Sequence, residues 1–397
     1  MGAFRKFALL AAVALGAVGA AQAAPEKAAP DAELRFCPAG QVWAYPLDET
    51  GRSHSLLLQN LTVVNQGKAP LRVTALHIDL LANGTVVETR TLDRAQVERW
   101  GSNAEGVQAL VDQAPWQVCG EALVPSGVRL GGPVLKTGQA LLIFRQQFAM
   151  DGPRDTLRVR VEAERNGTPV QLAASMPVRT GFSKTQFRFP MNGVAYVGWA
   201  PSMHSGHRFM PAQEFALDIA RTGPGGLTYS GDGQKFADYF AYGDDILAAA
   251  DGRVVLAVDG EPEFEEVMQR PGESAEDYAK RHRIGQAQRA ARGLNGVAGN
   301  HVMLDHGNGE YSFYAHMKPG SVKVKAGDVV KAGQVLGELG SSGNSTEPHL
   351  HFHVCDGPDP LNCAGIPVLF QDVSILWANG MRALQSGDIV TVKKGRT

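Results

Sequence analysis

One stretch near the end of the chain, Pro348-His349-Leu350-His351-Phe352-His353-Val354, constrains the fold more than any other. Apolar and imidazole side chains alternate strictly along it, which is the period of a β-strand. Leu350, Phe352 and Val354 then face a core, while His349, His351 and His353 share the opposite face, with neighbours roughly 6.5–7 Å apart. Two imidazoles at that spacing can look into one pocket and do different work there. One can bind a metal ion at about 2.0–2.1 Å while the other stays free for proton transfer or for stabilising an oxyanion. His353, the third in the run, reads more readily as structural.

A metal site needs further ligands. Asp218 is a lone carboxylate in the apolar, strand-like run Phe215-Ala216-Leu217-Asp218-Ile219-Ala220. Burying it unpaired is costly, so a partner is expected. His204 and His207 lie just upstream in a loop containing Gly, Ser and Pro, and Tyr314-Ala315-His316 closes another strand-like run beside the turn Pro319-Gly320. Two histidines, one aspartate and an open position for water make a catalytic zinc site. The first half of the chain holds only His54 and His77 and shows no catalytic arrangement.

The organisation reads as all-β (mainly β). Residues 37–182 carry short strand-like runs at 55–64 and 71–81, with turns at Asn65-Gln66-Gly67 and Ala82-Asn83-Gly84. That spacing suggests an immunoglobulin-like antiparallel β-sandwich, with an ambiguous segment at 88–120 that has room for a short helix. Residues 24–36 are rich in Ala, Pro and Glu and read as a linker. Residues 183–380 form a second β-rich domain carrying a polar insertion at 260–296. A helix over Asp277 to Arg292, behind a Ser274 cap, fits that insertion, which is either a solvated excursion or a flap facing substrate. Trp377 is expected to pack. The end of the chain returns as a strand or stays loosely attached, and 381–397 is set apart as a tail.

Residues 1–23 read as a cleavable signal peptide: Arg5 and Lys6, an apolar run from Phe7 to Ala20, then Ala21-Gln22-Ala23. The mature chain is therefore expected in the periplasm or otherwise exported. No later segment reaches 18 apolar residues, so no transmembrane segment is expected. In that compartment Cys37, Cys119, Cys355 and Cys363 suggest two disulfides. Of three possible pairings, Cys37–Cys119 and Cys355–Cys363 each keep within one proposed domain. Lys and Arg number 38 against 40 Asp and Glu, which argues against a nucleic-acid binder built on a basic surface.

Several motifs follow in a telling order: Gly299-Asn300-His301-Val302-Met303-Leu304-Asp305-His306-Gly307, Tyr314-Ala315-His316-Met317, Lys-Ala-Gly turns at 325–327 and 331–333, Gly340-Ser341-Ser342-Gly343-Asn344-Ser345, and His349-Leu350-His351-Phe352. Together they resemble the lysostaphin/LytM-type zinc metallopeptidases over about 190–370. The resemblance implies an antiparallel β-sheet groove domain (the duplicated hybrid motif), one Zn2+ per chain, and hydrolysis of peptide cross-links in bacterial peptidoglycan. It implies His351 as a metal ligand and His316 and His349 as the catalytic imidazoles. The remaining ligands of the family are an Asp, here Asp218, and a His usually four residues before it, where this chain has Glu214. Gln213-Glu214-Phe215-Ala216-Leu217-Asp218 is similar to relatives with a longer spacing, which implies His207 as the ligand, ahead of His204 and then Glu214. For a periplasmic enzyme of this type the resemblance points to the D-alanyl–diaminopimelate bridge as the bond cut. The oligomeric state is not readable.

Two rival readings stand beside this one. The first is a non-catalytic LytM-like module that binds or regulates cell-wall hydrolases; retention of His316, His349, His351 and Asp218 favours the enzyme. The second is a lipoyl- or biotin-carrier-like domain, suggested by Val-Lys-Ala-Gly at 324 and 330. Neither lysine lies in an acidic or Met-flanked hairpin tip of the kind such carriers use.

Overall fold

The computed structural model describes residues 31–201, 206–268, 270 and 272–393. The leader expected at 1–23 lies outside the described residues, as do 24–30 of the expected linker. The rest of that linker is no linker. Ala32–Cys37 is a strand, paired antiparallel with Ser53–Asn65 from Ala32 opposite Asn65 to Cys37 opposite Asn60. Edge pairing satisfies its backbone donors and acceptors, which a free linker would leave to water.

The first half is strand-rich, and its ten strands form one hydrogen-bonded sheet, eight along a single path and two paired beside it. The join is a parallel pairing of Val178–Thr180 with Val42–Ala44. The sheet folds over an apolar core in which Leu56, Leu58, Leu61 and Val63 meet Leu76, Ile78 and Leu80. Two helices, Arg94–Gly101 and Ala104–Gln113, occupy the segment that the sequence left ambiguous. The first starts at Asp93, whose side chain accepts from the Gln96 N–H while Gln96 reaches back to the Asp93 N–H, a reciprocal cap. With these and the insertion helix the chain is mixed α/β rather than all-β. Periodicity over short polar segments does not reveal helices whose stability comes from tertiary packing.

The second half is built on a nine-stranded antiparallel sheet. Its central strands are Asn300–Asp305, Tyr311–Met317, Leu350–Cys355 and Leu217–Ala220, in that order. Phe352 sits at the heart of the core beneath it, its ring 5.3 Å from Tyr314 and 5.8 Å from Phe370. The Lys-Ala-Gly turns have Gly327 and Gly333 at positive φ, with Val330 buried and the lysines outside. The described part of the expected tail, 381–393, is not loose. Ile389–Val392 pairs with Val194–Trp199 and Val373–Ile375, and Val390 is fully buried. Trp377 does not pack; it is 91% exposed. Both disulfides are present as paired in the sequence reading, Cys37–Cys119 with Cα atoms 6.0 Å apart and Cys355–Cys363 at 5.7 Å. No helix among the described residues is long and apolar enough to cross a membrane.

The insertion holds the helix Ala275–Ala290, capped by the Ser274 hydroxyl accepting from the Asp277 N–H at 3.1 Å. The chain then returns through Gly293–Ala298 to Gly299, whose backbone (φ 64, ψ −139) suits glycine alone. A Cβ there would fall 2.4 Å from the Ser342 carbonyl carbon and 2.6 Å from the Gly343 nitrogen. Gly299→Ala is therefore expected to lower unfolding free energy by about 2–3 kcal/mol at unchanged m-value in urea unfolding.

Candidate metal centre

Strand register brings the first pair together. His351 lies opposite Asp218 on one neighbouring strand and opposite Ala315 on the other. Leu350, Phe352 and Val354 go into the core, as alternation requires, so His351 and His353 face the other side, where both are buried. His207 comes from outside the sheet, on the short turn His207–Phe209, with Gln213 on the next turn, Pro211–Gln213. His204 lies outside the described residues.

His207, Asp218 and His351 offer ligand atoms that all lie within 4.8 Å of one another. His207 Nε2 is 2.8 Å from Asp218 Oδ2, and His351 Nδ1 is 3.0 Å from Asp218 Oδ1. The outward nitrogens of these rings are already committed: His207 Nδ1 to Gln213 Oε1 at 2.9 Å, and His351 Nε2 to His353 Nδ1 at 3.0 Å. With Nδ1–H given to an amide oxygen, His207 turns a lone pair towards a carboxylate. Two acceptors at that distance need a cation between them, a proton or a metal ion. Two imidazole nitrogens and one carboxylate, oriented by outer hydrogen bonds, are a donor set that suits zinc with a position left open. The arrangement therefore fits the ion. A second cluster, His353 with Cys355 and Cys363, has its two sulfurs joined to each other and offers no thiolate. Glu214, the third choice for the first ligand, instead turns away into a buried ion pair with Arg208.

The electrostatics agree. Burial alone would raise the Asp218 carboxyl, but the charges of His207 and His349 hold it well below the ordinary range. Burial works to lower His207, yet the Asp218 carboxylate carries it above the ordinary histidine value. His316 is pushed well down by burial, with His349 and His351 acting in the same direction, so it is a neutral imidazole.

His316 reaches the site only through a backbone irregularity. Phe313 and Ala315 pair with His353 and His351 and share their face, while Tyr314 enters the core. Simple alternation would send His316 after Tyr314 into the core. Instead His316 has φ 66, and the pairing to Asn300–Asp305 shifts register between Asn300 and Val302. This bulge reverses the phase, so Met317 enters the core and His316 faces the groove. The ring then lies 4.8 Å from that of His349 and 5.9 Å from that of His351. Each of these two imidazoles is anchored through Nδ1 to a backbone carbonyl, His316 to Ser342 at 2.8 Å and His349 to Glu347 at 2.8 Å. These bonds fix the orientation of each ring, and His349 turns its Nε2 towards Asp218 Oδ1 at 3.5 Å.

These groups line a groove of about 330 Å³. Its walls include Gln286 from the insertion helix and Trp116 from the first half, so the insertion borders the groove rather than being a remote excursion. Sequence reasoning misses Trp116 and Glu347 and meets Ser342 only as part of a motif. The last two act through main-chain carbonyls, which no residue type announces. Gln213 too enters the sequence reading only as part of a motif.

Residues 283–363 match the model of peptidase family M23. The matched segment contains His316, His349, His351 and His353, and leaves out His207 and Asp218. The chain is 41% identical over 71 residues to the DD-carboxypeptidase/endopeptidase Mpg of Neisseria meningitidis, covering 18% of this chain and 16% of that protein. It is 38% identical over 73 residues to the peptidoglycan DD-endopeptidase ShyA of Vibrio cholerae, with 18% and 16% covered. To lysostaphin of Staphylococcus simulans it is 49% identical over 55 residues, with 14% of this chain and 11% of that protein covered. Among solved structures, the catalytic domain of lysostaphin from Staphylococcus simulans aligns at 20% identity and a TM-score of 0.24, over 44% of this chain and 88% of that one. The chain thus spans about a sixth or less of the length of these curated relatives.

Gln213→Leu removes the acceptor that orients His207 without touching a ligand atom. Its affinity for a divalent ion, measured by competition with a chelating dye, is expected to fall about 10–100-fold.

Proposed function

We propose that this chain, related through residues 283–363 to the M23 zinc metallopeptidases, is an endopeptidase that hydrolyses peptide cross-links of bacterial peptidoglycan. The observation that carries the reading is the convergence of His207, Asp218 and His351 on one point beside two further anchored imidazoles. In this reading His207 Nε2, an Asp218 carboxylate oxygen and His351 Nδ1 hold one Zn2+, and His316 and His349 are catalytic. The bound ion would supply Lewis acidity, polarising the scissile carbonyl and lowering the pKa of a water towards about 7.

The protein's own part is proton movement. His316 presents an unprotonated Nε2, because its Nδ1–H is held by the Ser342 carbonyl, and His349, held through Nδ1 by the Glu347 carbonyl, turns its Nε2 towards Asp218. One accepts the proton of the attacking water. Once protonated, it is a donor for the departing amine, while the other orders the oxygen that gains charge. Burial of His316 keeps it neutral and ready for this exchange.

We read residues 37–182 as an accessory domain of immunoglobulin-like outline and 183–380 as the catalytic domain. The D-alanyl–diaminopimelate bridge is the proposed bond, a choice supported by the names of the Neisseria relative, a DD-carboxypeptidase/endopeptidase, and the Vibrio relative, a peptidoglycan DD-endopeptidase. An exported, periplasmic location goes with that substrate and with the leader-like residues 1–23.

His316→Ala and His349→Ala are expected to lose at least 100-fold in turnover of purified sacculi while keeping one zinc per chain by elemental analysis. His351→Ala and Asp218→Ala are expected to lose both. A fully active His349→Ala variant would overturn the mechanism. Incubation with a defined D-alanyl–diaminopimelate muropeptide dimer should give monomers by mass spectrometry; an intact dimer alongside cleavage of a pentaglycine-bridged one would reverse the choice of bond.

A further inference from the structure

We infer that the first half of the chain is a working part of the metal centre, with Gln59 and Ser55 acting as positioning residues for His207 through the buried Arg208–Glu214 pair. This rests on the reading of His207 as a metal ligand. His207 and Gln213 sit on two short turns and have no strand register to fix them. Their next neighbours in sequence, Arg208 and Glu214, turn the other way and are 1% and 5% exposed.

Both are held by one strand of the first half, Ser53–Asn65. Leu56 and Leu58 on that strand enter the first core, so Leu57 and Gln59 point away from it, yet both are fully buried. What covers Gln59 is the His207–Glu214 segment. The Gln59 Nε2 group donates to the Arg208 carbonyl at 2.7 Å and to Glu214 Oε2 at 3.0 Å. Arg208 Nη2 donates to Ser55 Oγ at 3.1 Å and to the Ser55 carbonyl at 3.3 Å. Arg208 and Glu214 face each other at 3.3 Å. Tyr45 stacks on Phe215 at 5.5 Å, and its hydroxyl donates to the Leu384 carbonyl at 3.0 Å.

The clamp is bidirectional. A buried cation, a buried carboxylate and a buried amide each require partners, and here most of those partners lie across the boundary between the halves. Gln59 grips the segment at two points, the residue after His207 and the residue after Gln213. The residues just before those two points, His207 and Gln213, share the hydrogen bond that orients the His207 ring. Loosening the grip frees the ring while leaving every ligand atom present.

The test uses the full-length chain and Co2+ alone as probe, following its visible absorption during titration. Gln59→Leu keeps side-chain volume and deletes both donors. Ser55→Ala deletes one acceptor for Arg208 and is milder. Val97→Ala, at a buried residue of the first core that makes none of the clamp's hydrogen bonds, controls for general loss of stability. The expected result is a loss of Co2+ affinity of about tenfold or more in Gln59→Leu, a smaller loss in Ser55→Ala, and no more than about a twofold change in Val97→Ala. Wild-type affinity in a folded Gln59→Leu variant overturns the inference, as does an equal loss in Val97→Ala. Should Gln59→Leu not fold, unchanged affinity in Ser55→Ala overturns it. A wild-type chain that binds no Co2+ removes the metal reading itself, an outcome distinct from a wild type that binds while the variants match it.

Discussion

Asp218 is half-buried among imidazoles whose charge holds its carboxyl well below the ordinary range, and the site is arranged around that one fact. A carboxylate taken out of water demands positive charge or donors close by. Here it faces nitrogen atoms at 2.8 and 3.0 Å whose rings have spent their outward positions on Gln213 and His353. The inward nitrogens and the carboxylate therefore share a requirement for a cation. Outer hydrogen bonds set this in place before any ion arrives, which is how a protein limits the reorganisation needed on binding.

Strain and close packing surround this centre. His316 holds a left-handed backbone, which costs a residue with a Cβ of order 1 kcal/mol or more. The bulge that imposes it also brings Met317 into the core, so the apolar burial of one residue helps to hold the imidazole of its neighbour in the groove. Close by, Gly299 and Gly343 approach so tightly that neither tolerates a Cβ. Between them runs the loop whose Ser342 carbonyl fixes the His316 tautomer. Packing, backbone geometry and proton chemistry are one linked problem on this side of the groove.

Much of the second half was legible from local pattern. Alternation at 349–354 gave a strand with His351 turned from the core, and the isolated Asp218 in an apolar run announced a buried carboxylate in need of a partner. The Ser274 cap and the Lys-Ala-Gly turns also followed from short-range chemistry. The first half was less legible. Its helices are only 8 and 10 residues long, its sheet runs through a parallel join between strands more than a hundred residues apart, and the strand at Ala32–Cys37 looks like a linker until its partner is known.

The sequence by itself determined which groups are available for chemistry here, imidazoles alternating along 349–353, a lone carboxylate at Asp218 and histidines at 207 and 316, while the split into ligands and proton carriers came from the family resemblance. It could do so because residue type, spacing and strand period are local properties. Only the tertiary structure decided that His207 turns its Nε2 to Asp218, that a bulge rotates His316 into the groove, and that Gln59 grips the ligand turn. Those outcomes depend on contacts between distant parts of the chain, 149 residues apart for Gln59 and Arg208, and on main-chain carbonyls that carry no signature in residue type.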